Sequence, residues 1–282
     1  MFPAITSGRS TASENRRSWR SRWAAALAVV LMCALLTLPV HAAEPVCGHA
    51  DETISAEGSL VDESALGNAL ADALVFATGA DAAVFPGGLL GDDILPGAQT
   101  AASIERVLPA DSEIVLADIA VEQLKSLLEN GVSRIVLDER ERIDREKSPF
   151  DGFLHVSGVS FRYDATGFVG DRVDDIRDID GALLDEQTVL CVAMPAEVAR
   201  GVYGGDAVDT RFTGVTARDC LAAWMEAEDP VSEPDDGRIR IRGSTEQTIY
   251  SEYIPAWILF PAVAVIGAVQ YKVGRYERRD EF

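Results

Sequence analysis

Residues 61–90, VDESALGNALADALVFATGADAAVFPGGLL, decide how this chain folds. Leu66, Leu70, Leu74 and Val75 recur at the spacing of one helical face. That predicts a helix over 63–79 with a single buried side and Gly79 as its stop. The short apolar run 81–85 then reads as a strand, and Pro86-Gly87-Gly88 closes it with the residue types that a tight turn requires. A buried-face helix followed directly by an apolar strand sets the chain toward a mixed α/β domain.

Working outward, 104–107 has room for one helical turn and 113–117 alternates like a strand. Val121, Leu124, Leu127 and Leu128 then mark an amphipathic helix that ends near Gly131. The second half reads mainly as strands, at 153–156, 160–163, 172–176 and 187–194, with turns at 165–167 and 180–181. A helix over 216–228, an acidic loop over 229–237 and a last strand at 238–242 complete one α/β domain over 61–242, preceded by a polar lead-in over 43–60.

Four short motifs stand in order along this domain. They are Gly67-Asn68-Ala69-Leu70-Ala71-Asp72-Ala73, Gly87-Gly88, Phe153-Leu154-His155-Val156-Ser157-Gly158 and Gly204-Gly205-Asp206. Val107-Leu108-Pro109, Phe161-Arg162-Tyr163-Asp164 with Asp171-Arg172-Val173, and Gly237-Arg238-Ile239 accompany them. In that order and at that spacing, the chain resembles the C-terminal domain of exported 5'-nucleotidases and related 2',3'-cyclic phosphodiesterases. The resemblance implies a layered α/β sandwich. It also implies that metals and hydrolysis belong to a separate N-terminal metallophosphatase domain, of which no motif is found here. Two-metal hydrolysis needs several ligands around paired ions, whereas only His49 and His155 lie beyond the signal segment expected over 1–42. No metal site, catalytic residue or cofactor is therefore expected, and His155 reads as a satisfied structural histidine.

The positions that the resemblance assigns to ligand binding depart from the family pattern. Asp62 stands where an arginine is usual, and Phe85-Pro86-Gly87-Gly88-Leu89-Leu90 stands where the family reads Asn-Gly-Gly-Gly-Ile-Arg. Ala110 occupies the first base-stacking position, and the second has no aromatic unless Tyr203 serves through a shifted loop. Asp206 alone matches, as the ribose-contacting aspartate. Each stacking ring stabilises a bound base by about 1–3 kcal/mol, so losing a ring and two cations makes nucleotide binding doubtful. Gly67, Asn68, Asp72, Ser157, Gly158, Gly204 and Gly205 persist as structural motif residues, holding turns and backbone groups. Gly87-Gly88 reads as a plain turn, with a ligand cradle as the alternative. These readings give an interaction module whose partner is a separate metallophosphatase or another envelope protein. The alternative is a nucleotide-specificity subunit working in trans with such a phosphatase, in which Arg162 or Arg200 restores the missing cation.

The termini and the charge bound the setting. Four arginines at 16–22, an apolar run over 23–40 and a small-residue site near Ala42 predict a signal peptide over 1–42. Residues 254–271 carry no charge and span about 27 Å as a helix. Lys272, Arg275, Arg278 and Arg279 follow, which predicts a single C-terminal membrane span, reached through a linker over 243–253 and ending in a cytoplasmic tail over 272–282. The alternative is a buried terminal helix interrupted by Pro255 and Pro261. The domain is thereby expected on the periplasmic or extracellular side of the cytoplasmic membrane. The formal charge is −21; residues 1–42 hold five Arg and one Glu, so the remainder carries −25. Such a field disfavours nucleic acid and favours basic partners or cations, with a saline habitat as the alternative cause. Outside the signal, Cys191 reads as a core thiol, and Cys47 and Cys220 are a candidate disulfide pair in an oxidising compartment. The acidic run Asp171, Asp174, Asp175, Asp178 and Asp180 reads as a solvated strand edge, because Ile176 and Ile179 stand where a calcium loop needs a ligand and a glycine.

Overall fold

A computed structural model describes residues 44–234 and 237–242. The expected signal, linker, membrane span and tail lie outside these residues, and among the described residues no helix is long and apolar enough to cross a membrane.

The anticipated first helix is α1 (Ala65–Thr78), set one to two residues inside its sequence bounds. The Ser64 side chain accepts from the Gly67 amide at its start. Gly79 ends it in the left-handed region, at φ 66°, where its amide bonds to the Val75 carbonyl. Leu66, Leu70 and Leu74 are fully buried, each contributing about 1.5–3 kcal/mol of transfer free energy. Strand β2 (Ala82–Pro86) follows and leads into a single 3-10 turn over Gly87–Leu89.

The central layer is a mixed five-stranded sheet in the order β5-β2-β8-β4-β9, where β4 is Glu113–Ala120, β5 Leu154–Ser157, β8 Val189–Pro195 and β9 Arg211–Thr216. β2 runs parallel to β8 and antiparallel to β5, while β4 is antiparallel to β8 and β9. Because successive strand residues point to opposite faces, β2 divides itself between two cores. Ala83 and Phe85 join Ile114, Ala193, α1, α2 (Ala101–Val107) and α5 (Ala217–Ala227) on one side. Ala82 and Val84 join Val115, Val192 and Met194 on the other, beneath α3 (Val121–Gly131) and a second, three-stranded sheet. That sheet runs β10-β6-β7, with β6 Val159–Asp164, β7 Val173–Asp178 and β10 Ile239–Arg242, and β10 is parallel to β6. A four-residue helix α4 (Ala196–Ala199) follows β8 directly.

Three strands fall outside the sequence reading. The stretch taken as lead-in supplies β1 (Val46–Ala50), which pairs with β3 (Gly97–Thr100) and lies on α5. Neither β1 nor β3 alternates strongly enough to announce itself. β9 was also not foreseen; it is an edge strand with Phe212 73% exposed, so it lacks the apolar pattern of a buried strand. The acidic run does lie at a solvated edge. Arg162 reaches Asp175 at 2.8 Å, Arg177 reaches it at 3.1 Å, and Arg242 reaches Asp174 at 3.0 Å, a charge ladder across β10, β6 and β7.

Candidate functional site

The motif residues converge where α1, β5 and the start of β10 meet. Gly67 is a contact between backbone and ring: a Cβ there would fall 2.1 Å from His155 Cγ. The His155 ring is fully buried, stacks edge-on against Phe153 and bonds through Nε2 to the Ser59 carbonyl at 3.1 Å. Burial pushes its pKa down to about 4 against the opposing pull of that carbonyl. Asn68 Nδ2 donates to Glu63 Oε1 at 2.7 Å. The same carboxylate accepts the amides of Gly237, Arg238 and Ile239 at 2.9, 3.0 and 3.2 Å. Asp72 binds Arg238 through both oxygens, at 2.7 and 2.8 Å, and accepts from Ser157 Oγ at 2.6 Å. Gly158 turns the chain at φ 75°, its backbone too close to the Asp81 carbonyl for any Cβ. Motif residues as far apart in sequence as Asp72 and Arg238, 166 positions, therefore form one polar lattice that ties the last strand to the first helix.

The positions assigned to a ligand are differently placed. Phe85 is fully buried in the α1-side core, and Leu90 packs half-buried against that core. The Gly87 amide donates to the Phe153 carbonyl at 2.8 Å, and a Cβ on Gly87 would fall 1.9 Å from the Ser59 carbonyl oxygen. The Gly88 amide donates to the Asp151 carbonyl at 2.9 Å, and a Cβ on Gly88 would fall 2.4 Å from Asp151 Cβ. Asp62 pairs with Arg145 at 3.4 Å. Ala110 is exposed after α2, beside Pro109, whose carbonyl accepts from Arg218. Asp206 is exposed beyond the turn in which Gly204 takes φ 97°. Tyr203 does reach this region; with Phe150 it packs on Gly152, where a Cβ would fall 2.7 Å from the Phe150 ring and 2.8 Å from Tyr203 Cβ. Asn130 Nδ2 holds the Tyr203 carbonyl at 2.9 Å.

Sequence reasoning missed the segment that brings these positions together. Residues 145–152 supply Arg145 to Asp62, Asp151 to Gly88 and Phe150 to Gly152. Its internal order comes from Asp138 and Asp144, whose carboxylates hold amides and cations of the same loop. The Arg142 amide is the main cause that keeps the Asp138 carboxyl at about 2. The compact spacing of Asp138, Arg142, Asp144 and Lys147 was the available signal, since such residues build Asx-type turns. Of the two arginines that could restore a cation, Arg162 is held by Asp175 and Arg200 lies 3.5 Å from Glu197.

Among the described residues no three His, Cys, Asp or Glu side chains converge as a metal site. His49 is exposed and meets Asp229 at 3.1 Å. The candidate disulfide is not formed: Cys47, Cys191 and Cys220 are all free thiols. β1 touches α5 most closely at Gly48, whose Cβ would fall 2.4 Å from the Met225 carbonyl oxygen. That point is one residue from Cys47 but five from Cys220, about 7.5 Å along the helix. Burial pushes the Cys220 thiol up to about 12. Cys191 is half-buried rather than fully in the core, with Arg211 3.6 Å from its sulfur.

Two open clefts lie elsewhere. One, of about 450 Å³, runs along α3, and another, of about 380 Å³, lies between Asp72, Trp224, Pro234 and Arg238. Neither is lined by Asp62, Phe85, Gly87, Gly88, Leu90, Ala110 or Asp206.

This arrangement of sheets and helices is found in solved structures. A 5'-nucleotidase precursor from Thermus thermophilus matches with a TM-score of 0.61 at 23% identity, over 79% of this chain and 43% of its own. The NAD nucleotidase NadN of Haemophilus influenzae matches with a TM-score of 0.60 at 15% identity, over 72% and 39%. The sulfate thiohydrolase SoxB of Thermus thermophilus, bound to glycerol, matches with a TM-score of 0.53 at 18% identity, over 71% and 36%. The chain thus spans less than half the length of these proteins, and at such identities the likeness is one of fold. Among curated proteins no sequence matches. The family model described as 5'-nucleotidase, C-terminal domain, matches residues 46–210, more than half of the chain. On that match the chain belongs to the 5'-nucleotidase C-terminal-domain family.

Proposed function

We propose that this chain is an interaction module of its family: a 5'-nucleotidase C-terminal domain that recognises a partner and does not hydrolyse phosphate esters alone. One observation carries the reading. Three of the positions a nucleotide would use are engaged internally, with Asp62 on Arg145, Gly88 against Asp151 and Phe85 in the core. A nucleotide bringing its phosphate to Asp62 would meet a carboxylate, and it would have to displace residues 145–152 to reach the glycine turn. We place the domain on the outer side of the cytoplasmic membrane, held by the apolar segment 254–271 and its basic flank, with a separate metallophosphatase or another envelope protein as partner.

Family membership favours a second reading, a nucleotide-specificity subunit that works with a separate catalytic protein in nucleotide breakdown. Calorimetric titration of the purified protein with adenosine, AMP and UDP-glucose, with calcium or magnesium present, separates the two. The interaction-module reading expects no heat at millimolar ligand from folded protein. Micromolar binding of any nucleoside would overturn it and install the second.

A further inference from the structure

Residues 165–171 join β6 to β7, and their tip is apolar: Phe168 is 88% exposed and Val169 63% exposed. This loop is fastened at both roots. The Asp164 carboxylate accepts from the Thr166 amide and hydroxyl at 2.8 and 2.6 Å, and its carbonyl accepts the Gly167 amide at 3.1 Å. On the return, the Asp171 amide donates to the Phe168 carbonyl at 2.9 Å. Arg172 donates to the Gly167, Val132 and Ile135 carbonyls, and the buried Glu129 carboxylate accepts the amides of Arg172 and Val173 at 2.7 and 2.6 Å. A fixed turn therefore holds the Phe168 ring out in solvent. Its place in the fold gives it a direction. β10 is parallel to β6 with Arg242 opposite Asp164, and the Ala165 amide donates to the Arg242 carbonyl at 3.3 Å. The last described strand thus ends at the root of this loop, three residues from Phe168. Eleven residues, 243–253, then lead to the uncharged run 254–271, a tether of about 40 Å at full stretch. Ile179, 83% exposed, follows β7 at the opposite end of the same sheet, about 17 Å away along β6.

We infer that Phe168 and Val169 enter the interfacial layer of the bilayer that takes up 254–271, a second membrane contact that sets the orientation of the domain. Aromatic rings favour that layer, where an apolar body meets the headgroup boundary. A two-residue tip is small beside the roughly 800 Å² per partner of a stable protein interface. It suffices for a contact that a tether already holds at high local concentration. Asp164, Asp171 and Asp174 stand near the tip, so the contact is apolar and gains nothing from anionic lipid. The inference rests on the placement of 254–271 in the membrane and adds where the domain touches it.

The test sets a tryptophan at the tip of the full chain, Phe168→Trp, in phosphatidylcholine vesicles whose acyl chains carry bromine near the headgroups. Ile179→Trp, at the far end of the sheet, is the comparison. Both positions are exposed, so the melting temperature should hold. Flotation of the vesicles reads first whether the chain is membrane-bound. Relative to the native chain, the emission added by Phe168→Trp should lose about half or more to bromine quenching, at low and high salt alike. That added by Ile179→Trp should lose little, and Val169→Asp combined with Phe168→Trp should restore most of the lost emission. A floating chain in which the two tryptophans are quenched equally, or neither is, overturns the inference and leaves the membrane span standing. A chain that does not float overturns both. Blue-shifted but unquenched emission from Phe168→Trp also overturns the inference, because the tip is then covered by protein. None of these outcomes bears on the nucleotide titration, so the interaction-module reading stands or falls separately.

Discussion

Two regions of this domain carry motif residues, and they hold them in opposite ways. Around α1, β5 and β10, Gly67, Asn68, Asp72, Ser157 and Gly158 each meet a named partner: a ring, a carboxylate, an arginine or a carbonyl. Around the expected ligand end, Ala110 and Asp206 face solvent, and Asp62 is tied to an arginine of the same chain. In the first region a change of residue disturbs packing that the whole domain shares. At the solvent-facing Ala110 and Asp206 of the second it disturbs no packing. A motif that survives in the first region is therefore evidence of fold, and only the second speaks to activity.

The sharpest way to break this contrast is Gly67→Ala. Its Cβ would meet a ring that is itself locked in the core, so a loss of about 3 kcal/mol or more is expected in urea unfolding. Adding His155→Ala should recover part of that loss, a coupling a double-mutant cycle reads directly. A cost for Gly67→Ala below about 1 kcal/mol would sink the packing account.

His155 gives the next effect, through pH. Its folded pKa is depressed to about 4, so above the ordinary value near 6.5 both folded and unfolded forms are neutral and stability does not depend on this group. As pH falls from about 6.5 to about 4, only the unfolded chain takes up the proton, and the folded state loses about 1.4 kcal/mol per pH unit, about 3 kcal/mol in all. Urea midpoints measured across that window should fall more steeply for the native sequence than for His155→Gln. Parallel slopes would show that the ring titrates freely.

Asp72→Asn is smaller. It leaves the guanidinium of Arg238, whose side chain is 20% exposed, without its carboxylate, at an expected cost of about 2 kcal/mol. Smallest are Asp206→Ala and Ala110→Gly, each expected within about 0.5 kcal/mol of the native protein. A large destabilisation at either site would mean that the ligand end is structural after all.

How much of this was legible follows from where the signal resides. Leu66, Leu70 and Leu74 give α1 because a one-sided helix must repeat its apolar residues, and Gly79 gives its end because only the left-handed region closes it there. The second-half strands β5 to β8 were legible from their apolar and alternating runs. β1 and β3 were not, since Gly48 interrupts β1, β3 is only four residues long and opens on Gly97, and much of their surface faces water. The family's positions could be located in the sequence, but not what covers them. That Arg145 would reach Asp62, 83 residues away, is a long-range contact without a local pattern. The buried carboxylate of Glu129 was equally invisible, because a glutamate on an amphipathic helix reads as a surface residue until the turn of Arg172 and Val173 closes over it.

The attachment of β10 has a mechanical consequence. Glu63 grips the amides at its entry, Arg238 clamps Asp72, and the strand lies parallel to β6, with the Phe161 amide bonded to the Arg238 carbonyl at 2.8 Å. Tension applied at Arg242 along the strand would load these bonds together in shear, instead of opening them singly as in an unzipping hairpin. The load would pass through Asp72 into α1 and through the Val156 carbonyl, bonded to Arg238 at 3.1 Å, into the central sheet. A domain suspended from this end would hang from a strand braced to its first helix and to its central sheet.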